Sequence, residues 1–241
     1  MRVAQSCKGV RTVSILIPVY NERETIEQVM MQVAAAPLPP GVEREIIVVD
    51  DGSRDGTSQV LARYQRQKPF RIVFSQTNSG KGTALRQAIA CARGDILIIQ
   101  DADLEYNPED FAQLLGPLLT GEAKAVYGTR FAQGRPAGMG RAQWLANRIL
   151  CWAANLLYGG CISDEATAYK AFDAQFLQSL SLTCRRFEFC PEVTAKILKQ
   201  GIPIREVPVR YRSRTAAQGK KIRWHDGLQA LWVLMKYRLV N

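Results

Sequence analysis

ILIIQDADLE, residues 96–105, decides how the rest of the chain is read. Ile96, Leu97, Ile98 and Ile99 form an unbroken apolar run of the kind that fills a strand buried on both faces, and Asp101, Asp103 and Glu105 follow at alternate positions. Acids there do not serve packing. In an open α/β sheet ligands lie beyond the carboxyl ends of the strands, so these carboxylates point to a ligand crevice. Carboxylates so close repel one another unless a cation lies between them, and hard oxygen donors suit Mg2+ or Mn2+, ions that also hold phosphates. Asn107-Pro108-Glu109-Asp110 carries the signature of a helix start, a cap followed by proline and first-turn acids. Asp101 and Asp103 precede that cap and are not explained by it.

Three similar units stand upstream. The apolar runs at 13–19, 45–50 and 71–75 are each followed by a helical pattern, as is 95–100, and such alternation predicts a mostly parallel sheet wound by helices on both faces. Polar residues gather in the loops leaving the strands. After the first, Asn21 reads either as a helix cap or, with Glu22, as a ligand contact. After the second, Asp50 and Asp51 are adjacent acids closing a buried strand, an unfavourable choice unless one of them is bound to something. The third, Asn78-Ser79-Gly80-Lys81-Gly82-Thr83, lacks the earlier glycine of a P-loop, yet it can present backbone N–H groups and Lys81 to a phosphate or base at a helix start.

Composition narrows the chemistry. The chain has 241 residues, 47% of them hydrophobic, enough for one well-filled core. The six cysteines show no metal-ligand spacing and read as mostly buried thiols of a reducing compartment. A lone histidine, His225, excludes multi-histidine zinc sites, so any metal is held by oxygen. MRVAQSCKGVRT at the start lacks the apolar stretch of a signal peptide, and no segment reaches the roughly 18 apolar residues of a spanning helix, so a cytosolic chain is expected. Of the formal charge of +10, residues 1–120 carry −1 and residues 121–241 carry +11. The basic half points to an anionic partner: nucleic acid, an anionic membrane or a phosphorylated substrate.

PVYNE (18–22), VVDDGSRDGT (48–57), NSGKG (78–82) with ARGD (92–95), and DADLE (101–105), in that order, resemble the nucleotide-sugar domain of family 2 glycosyltransferases, which have the GT-A fold. The resemblance covers about the first 130 residues. It implies that Pro18, Tyr20, Glu22 and Asp51 line a nucleoside pocket with Lys81 nearby, that Asp101 contacts the nucleotide, and that Asp103 is the chief ligand of Mg2+ or Mn2+ with Asp101 and Glu105 beside it. Glu105 stands where the polyprenyl-phosphate subfamily is expected to have glutamine. Further on, Tyr127-Gly128-Thr129-Arg130 ends a fifth strand, and Asp164-Glu165-Ala166-Thr167-Ala168-Tyr169-Lys170 resembles the D-x-x-T-G-Y-K segment of polyprenyl-phosphate sugar transferases, with Ala168 in place of the glycine. That match implies catalytic roles for Arg130 and Asp164 beside Asp103.

Residues 203–214 alternate like an edge strand, Pro208 arguing against a central one. From Arg205 to Arg223 stand seven cations, Arg205, Arg210, Arg212, Arg214, Lys220, Lys221 and Arg223, against one acid, Glu206. Of these, Arg212, Arg214 and Lys220, with Arg130, are candidates to hold an acceptor phosphate. Leu228, Leu231, Trp232, Met235 and Leu239 then share one helical face, flanked by Trp224, Lys236, Tyr237 and Arg238, which reads as an interfacial helix or as one docked on the core. The expected division is a GT-A domain, 1–221, and an amphipathic C-terminal helix, 222–241.

The resemblance therefore implies an inverting glycosyltransferase at the cytoplasmic face of an anionic membrane. It would move a hexose from a nucleotide diphosphate sugar, GDP-mannose first and UDP-glucose second, to a polyprenyl phosphate. A phosphate monoester with its second pKa near ~6 is already largely an anionic nucleophile at neutral pH and needs no general base. One alternative keeps the fold and uses a hydroxyl acceptor, with Asp164 or Glu165 as base. Another, a nucleic-acid-binding protein using the basic half, is disfavoured because the nearby aromatics sit on the apolar C-terminal face and form no stacking platform.

Overall fold

In the computed structural model, which describes residues 11–214 and 224–240, the first-half alternation becomes four parallel strands. β1 (Arg11–Val19) pairs along its whole length with β2 (Val42–Asp50) and, on its other edge, with β4 (Ile96–Ile99), while β3 (Phe70–Phe74) extends the sheet beyond β2. With β5 (Ala125–Thr129), β6 (Lys170–Asp173) and β7 (Ile204–Pro208) the order is β3-β2-β1-β4-β6-β5-β7. The sheet grows one way from β1 and resumes on its other side at β4, so the crevice of a topological switch point opens beyond the carboxyl ends of these two strands.

β6 runs antiparallel to both neighbours and the rest is parallel. Sequence reasoning assigned no strand there, because KAFD is short and places a lysine and an aspartate in four residues. β7 lies at the edge beside β5, where Pro208 at its last position is tolerated.

Alternate residues of each strand face opposite layers. Val13, Ile15, Ile17, Ile46, Val48, Ile96 and Ile98 pack with α1 (Ile26–Ala35) and α4 (Phe111–Leu119). Leu16, Ile47, Val49, Leu97 and Ile99 meet α3 (Lys81–Cys91), α6 (Ala174–Ser179) and α7 (Phe189–Lys199) on the other face. The short α2 (Thr57–Ala62) follows β2. A third apolar cluster joins α5 (Arg141–Tyr158) to α8 (Trp224–Leu239): Leu150, Ala153 and Ala154 meet Ala230, Val233, Leu234 and Tyr237, and the Tyr158 hydroxyl donates to the Leu234 carbonyl at 2.6 Å.

α8 is therefore docked, but by the face opposite the one singled out from the sequence. Leu228, Trp232, Met235 and Leu239 are exposed, and only Leu231 of that set is half-buried. The division expected at residue 221, Lys220 and its neighbours, and the first ten residues lie outside the described residues. Five cysteines, 91, 151, 161, 184 and 190, are free thiols; Cys151 and Cys184 are buried, and Cys161 is exposed.

Candidate active site

Four loops converge at the switch point. The loop after β1 is stitched to the loop after β2: the Asn21 N–H donates to Ser53 Oγ at 2.9 Å, and Asn21 Oδ1 accepts from the Arg54 N–H at 2.8 Å. Asn21 holds φ +51°, which asparagine tolerates, and it does not cap α1, whose N-cap is Thr25. Thr25 instead donates from Oγ1 to the Ala102 carbonyl at 2.7 Å and lies 3.1 Å from Glu22 Oε2, tying the β1 loop to the acids after β4. Pro18 is buried at the end of β1 and Tyr20 half-buried just beyond.

Both acids closing β2 are buried and have protein partners. Asp50 accepts from the Ser53 N–H and the Ser58 hydroxyl. Asp51, expected at the nucleoside pocket, accepts from the N–H groups of Ser79 at 2.9 Å and Gly80 at 2.7 Å and so fixes the loop before α3. Gly80 has φ +98°, and a Cβ there would fall 2.4 Å from the Arg185 carbonyl oxygen, so only glycine lets the 184–186 segment close on this helix start. Lys81 reaches the acids directly, its ammonium 2.6 Å from Asp101 Oδ1.

The remaining acids surround a guanidinium. Arg214, just past β7, places Nη2 2.9 Å from Asp103 Oδ2, Nη1 3.2 Å from Glu22 Oε2 and Nε 4.0 Å from Glu105 Oε1. Glu105 also accepts from the Arg214 backbone N–H at 2.8 Å and the Tyr211 hydroxyl at 2.9 Å. Between Asp103 and Glu105, Leu104 adopts φ +60°, a left-handed conformation unfavourable by about 1–2 kcal/mol for a residue with a Cβ. Its side chain packs on the core, which holds this turn and its two carboxylates in place. Burial, together with the charges of Asp101 and Glu105, pushes the Asp103 carboxyl up to about 7.

No three Asp, Glu, His or Cys side chains among the described residues are arranged to ligate one metal ion. The acids expected to do so are turned toward Lys81 and Arg214. The chemistry of these donors nonetheless fits a hard divalent cation: Asp103 and Glu105, with Glu22, already gather round one positive group, and the charges of Asp101 and Glu105 act on Asp103.

Of the expected acceptor-phosphate residues, the described ones, Arg130, Arg212 and Arg214, stand in different settings. Arg130 donates from its backbone N–H, Nε and Nη2 to the Asp164 carboxylate at 2.7 to 2.9 Å, with side-chain exposures of 6% and 0%. Asp164 thus faces Arg130 and not the solvent, and the Arg130 guanidinium lies 5.0 Å from the Tyr211 ring centroid. Glu165 is buried too, and burial raises its carboxyl pKa. Arg212 is exposed, whereas Arg205 pairs with Glu122 and Arg210 with Glu109 and Asp110.

Glu206 and Tyr106, which the sequence did not mark, organise this region together with Tyr169 and Lys170 of the 164–170 segment. Glu206 on β7 accepts from the N–H groups of Ser163 and Asp164, and the buried Lys170 ammonium donates to the Glu165 and Thr167 carbonyls at 2.7 and 2.9 Å. Tyr106 stacks on Tyr169 at 4.4 Å, whose hydroxyl donates to Gln100.

Comparison with known proteins gives the family and the fold. The profile described as Glycosyl transferase family 2 matches residues 14–162. Glycosyltransferase AglJ of Haloferax volcanii is 31% identical over 84% of this chain and 63% of its own length. The dolichol-phosphate mannosyltransferase of Pyrococcus furiosus is 27% identical over 93% and 64%, and the undecaprenyl-phosphate 4-deoxy-4-formamido-L-arabinose transferase of Edwardsiella ictaluri 26% over 88% and 64%. The chain thus spans a little under two thirds of these relatives. Among solved structures, glucosyl-3-phosphoglycerate synthase of Mycobacterium tuberculosis, in complex with Mn2+, UDP and glucosyl-3-phosphoglycerate, superposes with a TM-score of 0.72 at 26% identity, covering 96% of this chain and 81% of that one. The same enzyme with Mg2+ and UDP gives 0.71 at 25% identity, covering 96% and 80%.

Proposed function

From the premise that this chain belongs to glycosyltransferase family 2, we propose that it moves a hexosyl group, with inversion, from a nucleotide diphosphate sugar to a polyprenyl phosphate at the cytoplasmic face of a membrane. GDP-mannose is the first donor to test and UDP-glucose the second. A divalent ion bound by Asp103 with Glu105 and Asp101 would neutralise charge on the leaving diphosphate. Pro18, Tyr20 and the loops braced by Asn21 and Asp51 shape the nucleoside side of the crevice. Lys81 holds Asp101 in place and adds positive charge at the start of α3.

The observation that carries the acceptor reading is the burial of Asp164 and Glu165. A hydroxyl acceptor needs a base, and the two carboxylates available for that role in this segment are shut away from solvent, one of them held by Arg130. A phosphate acceptor needs none. The decisive assay is nucleotide release over a donor panel, with a short prenyl phosphate in one arm and 3-phosphoglycerate in the other. Turnover with the prenyl phosphate alone is the expected result. Turnover only with the soluble acceptor selects the second reading, which the glucosyl-3-phosphoglycerate synthase structures favour.

A lipid acceptor also calls for a membrane-facing surface. α5 exposes Leu145, Ile149, Trp152 and Leu156, and α8 exposes Leu228, Trp232, Met235 and Leu239, with the same spacing of four, three and four residues. The two helices pack side by side, and these stripes lie opposite their buried faces. Exposed Arg141, Arg148, Lys236 and Arg238 flank them, the chemistry of an anionic lipid surface. No described helix is long and apolar enough to cross a membrane. Each tryptophan contributes roughly 2 kcal/mol on burial, so Trp152→Glu and Trp232→Glu are each expected to lower partitioning onto phosphatidylglycerol vesicles more than tenfold. Co-sedimentation of the doubly substituted protein at the wild-type level would remove the two helices from the proposal.

A further inference from the structure

Arg214 stands where metal-dependent transfer calls for a cation. Resting on that reading, we propose that the Arg214 guanidinium is the resident counter-ion of the donor-free site, and that a divalent cation enters by displacing it. Other arginines of the same segment pair at the surface: Arg205 with Glu122, and Arg210 with Glu109 and Asp110. Arg214 instead draws together Glu22 from the β1 loop with Asp103 and Glu105 from the β4 loop, and its side chain is only 16% exposed. Among the described residues three carboxylates gather round this one guanidinium, and a divalent ion balances such a group better than a singly charged one does.

The exchange needs no opening of the loop. The Arg214 backbone N–H is held by Glu105 Oε1 at 2.8 Å, and the Arg212 N–H by the Glu105 carbonyl at 2.8 Å. Tyr211 is anchored by its hydroxyl to Glu105 and by a bridge to Tyr106. The stem is fixed, so the guanidinium swings on its own side-chain torsions. A donor arriving with the cation brings a diphosphate, and a guanidinium fork released beside it gains a phosphate partner of matching geometry.

This arrangement couples cation and donor. A metal ion alone has to draw the carboxylates away from an internal cation, whereas with a nucleoside diphosphate the displaced Arg214 gains a phosphate partner in exchange. By linkage, the wild-type chain binds Mn2+ weakly alone and more tightly with nucleotide, and removing Arg214 shrinks that difference from the nucleotide-free side.

The test is Mn2+ binding to the full chain, read from the paramagnetic resonance of free Mn2+, first with the metal alone and then with GDP or UDP. Arg214→Met is expected to bind Mn2+ alone at least tenfold more tightly than wild type. Arg212→Met removes the same charge from an exposed position two residues away, and its affinity is expected to stay within twofold. Equal or weaker binding of Mn2+ alone by folded Arg214→Met overturns the proposal, as does an equal gain in Arg212→Met, which would reduce it to net charge. If Arg214→Met does not fold, Arg214→Lys decides: it keeps the charge and loses the fork, so a several-fold gain supports displacement and wild-type affinity refutes it. Failure of wild type to bind Mn2+ even with nucleotide would instead overturn the metal-dependent reading on which the proposal rests.

Discussion

Asp103→Asn is expected to lower kcat by ~10³-fold or more with either donor, since a metal clamp on a leaving diphosphate supplies several kcal/mol of transition-state stabilisation and each decade costs about 1.4 kcal/mol. The fold should survive. Burial and the neighbouring acids Asp101 and Glu105 raise the Asp103 carboxyl to about 7, so the folded chain holds this proton more tightly than the unfolded chain does. Asp103 then lowers stability as the pH rises from the ordinary carboxylate range through about 7, after which its effect is constant. Asparagine does not ionise, and the variant is expected to melt no lower than wild type at pH 8. EDTA should mimic the loss in the wild-type chain, with recovery on addition of Mn2+ or Mg2+. Full turnover by Asp103→Asn, or by wild type shown to be metal-free by elemental analysis, would take the cation out of the mechanism.

The fold was most legible where burial on both faces leaves a strand no choice of residue. β1, β2 and β4 are such strands, and each ends at the polar loop that the sequence marks. β6 escaped notice because Lys170 and Asp173 sit within its four residues, yet the Lys170 ammonium is buried by two carbonyls and lies over the Tyr127 ring. α5 was missed for a different reason. Its outward Leu145, Ile149, Trp152 and Leu156 are as apolar as its inward Leu150 and Ala154, so the apolar positions do not single out one buried face.

At the site, position in the chain told which loops carry acids but not which cations those acids meet. Arg214 is separated from Glu105 by 109 residues and from Glu22 by 192, and only closure of the sheet brings them together. The same holds for Asp51: its adjacency to Asp50 suggested a bound ligand, and its partners are backbone N–H groups 28 and 29 residues downstream. Buried acids do need partners, as the sequence argument held. The protein's own backbone and side chains supply them.

The Arg130–Asp164 pair is where the second large effect is expected. Both side chains are almost wholly buried and joined by two side-chain contacts, with the Arg130 backbone N–H on the same carboxylate, so removing one partner strands a charge in the interior. Such a loss is typically about 3–5 kcal/mol, and Arg130→Met and Asp164→Leu should each destabilise the chain by that order in denaturant unfolding. Replacing both at once removes the stranded charge, and buried ion pairs often exchange for apolar residues of similar volume with little loss, so the double variant should recover most of the stability. That recovery makes the pair informative about function. If Arg130 serves only to hold the 163–170 segment in place, the refolded double variant keeps kcat/KM for the prenyl phosphate within about tenfold of wild type. If Arg130 also meets the acceptor, the variant is as stable as wild type and still loses acceptor turnover by roughly two decades, with Mn2+ and nucleotide binding unchanged. The second outcome is the one that polyprenyl phosphate transfer calls for: Arg130 closes a strand on the acid-bearing side of the sheet, and its guanidinium lies against Tyr211, next to the backbone that carries Arg212 and Arg214.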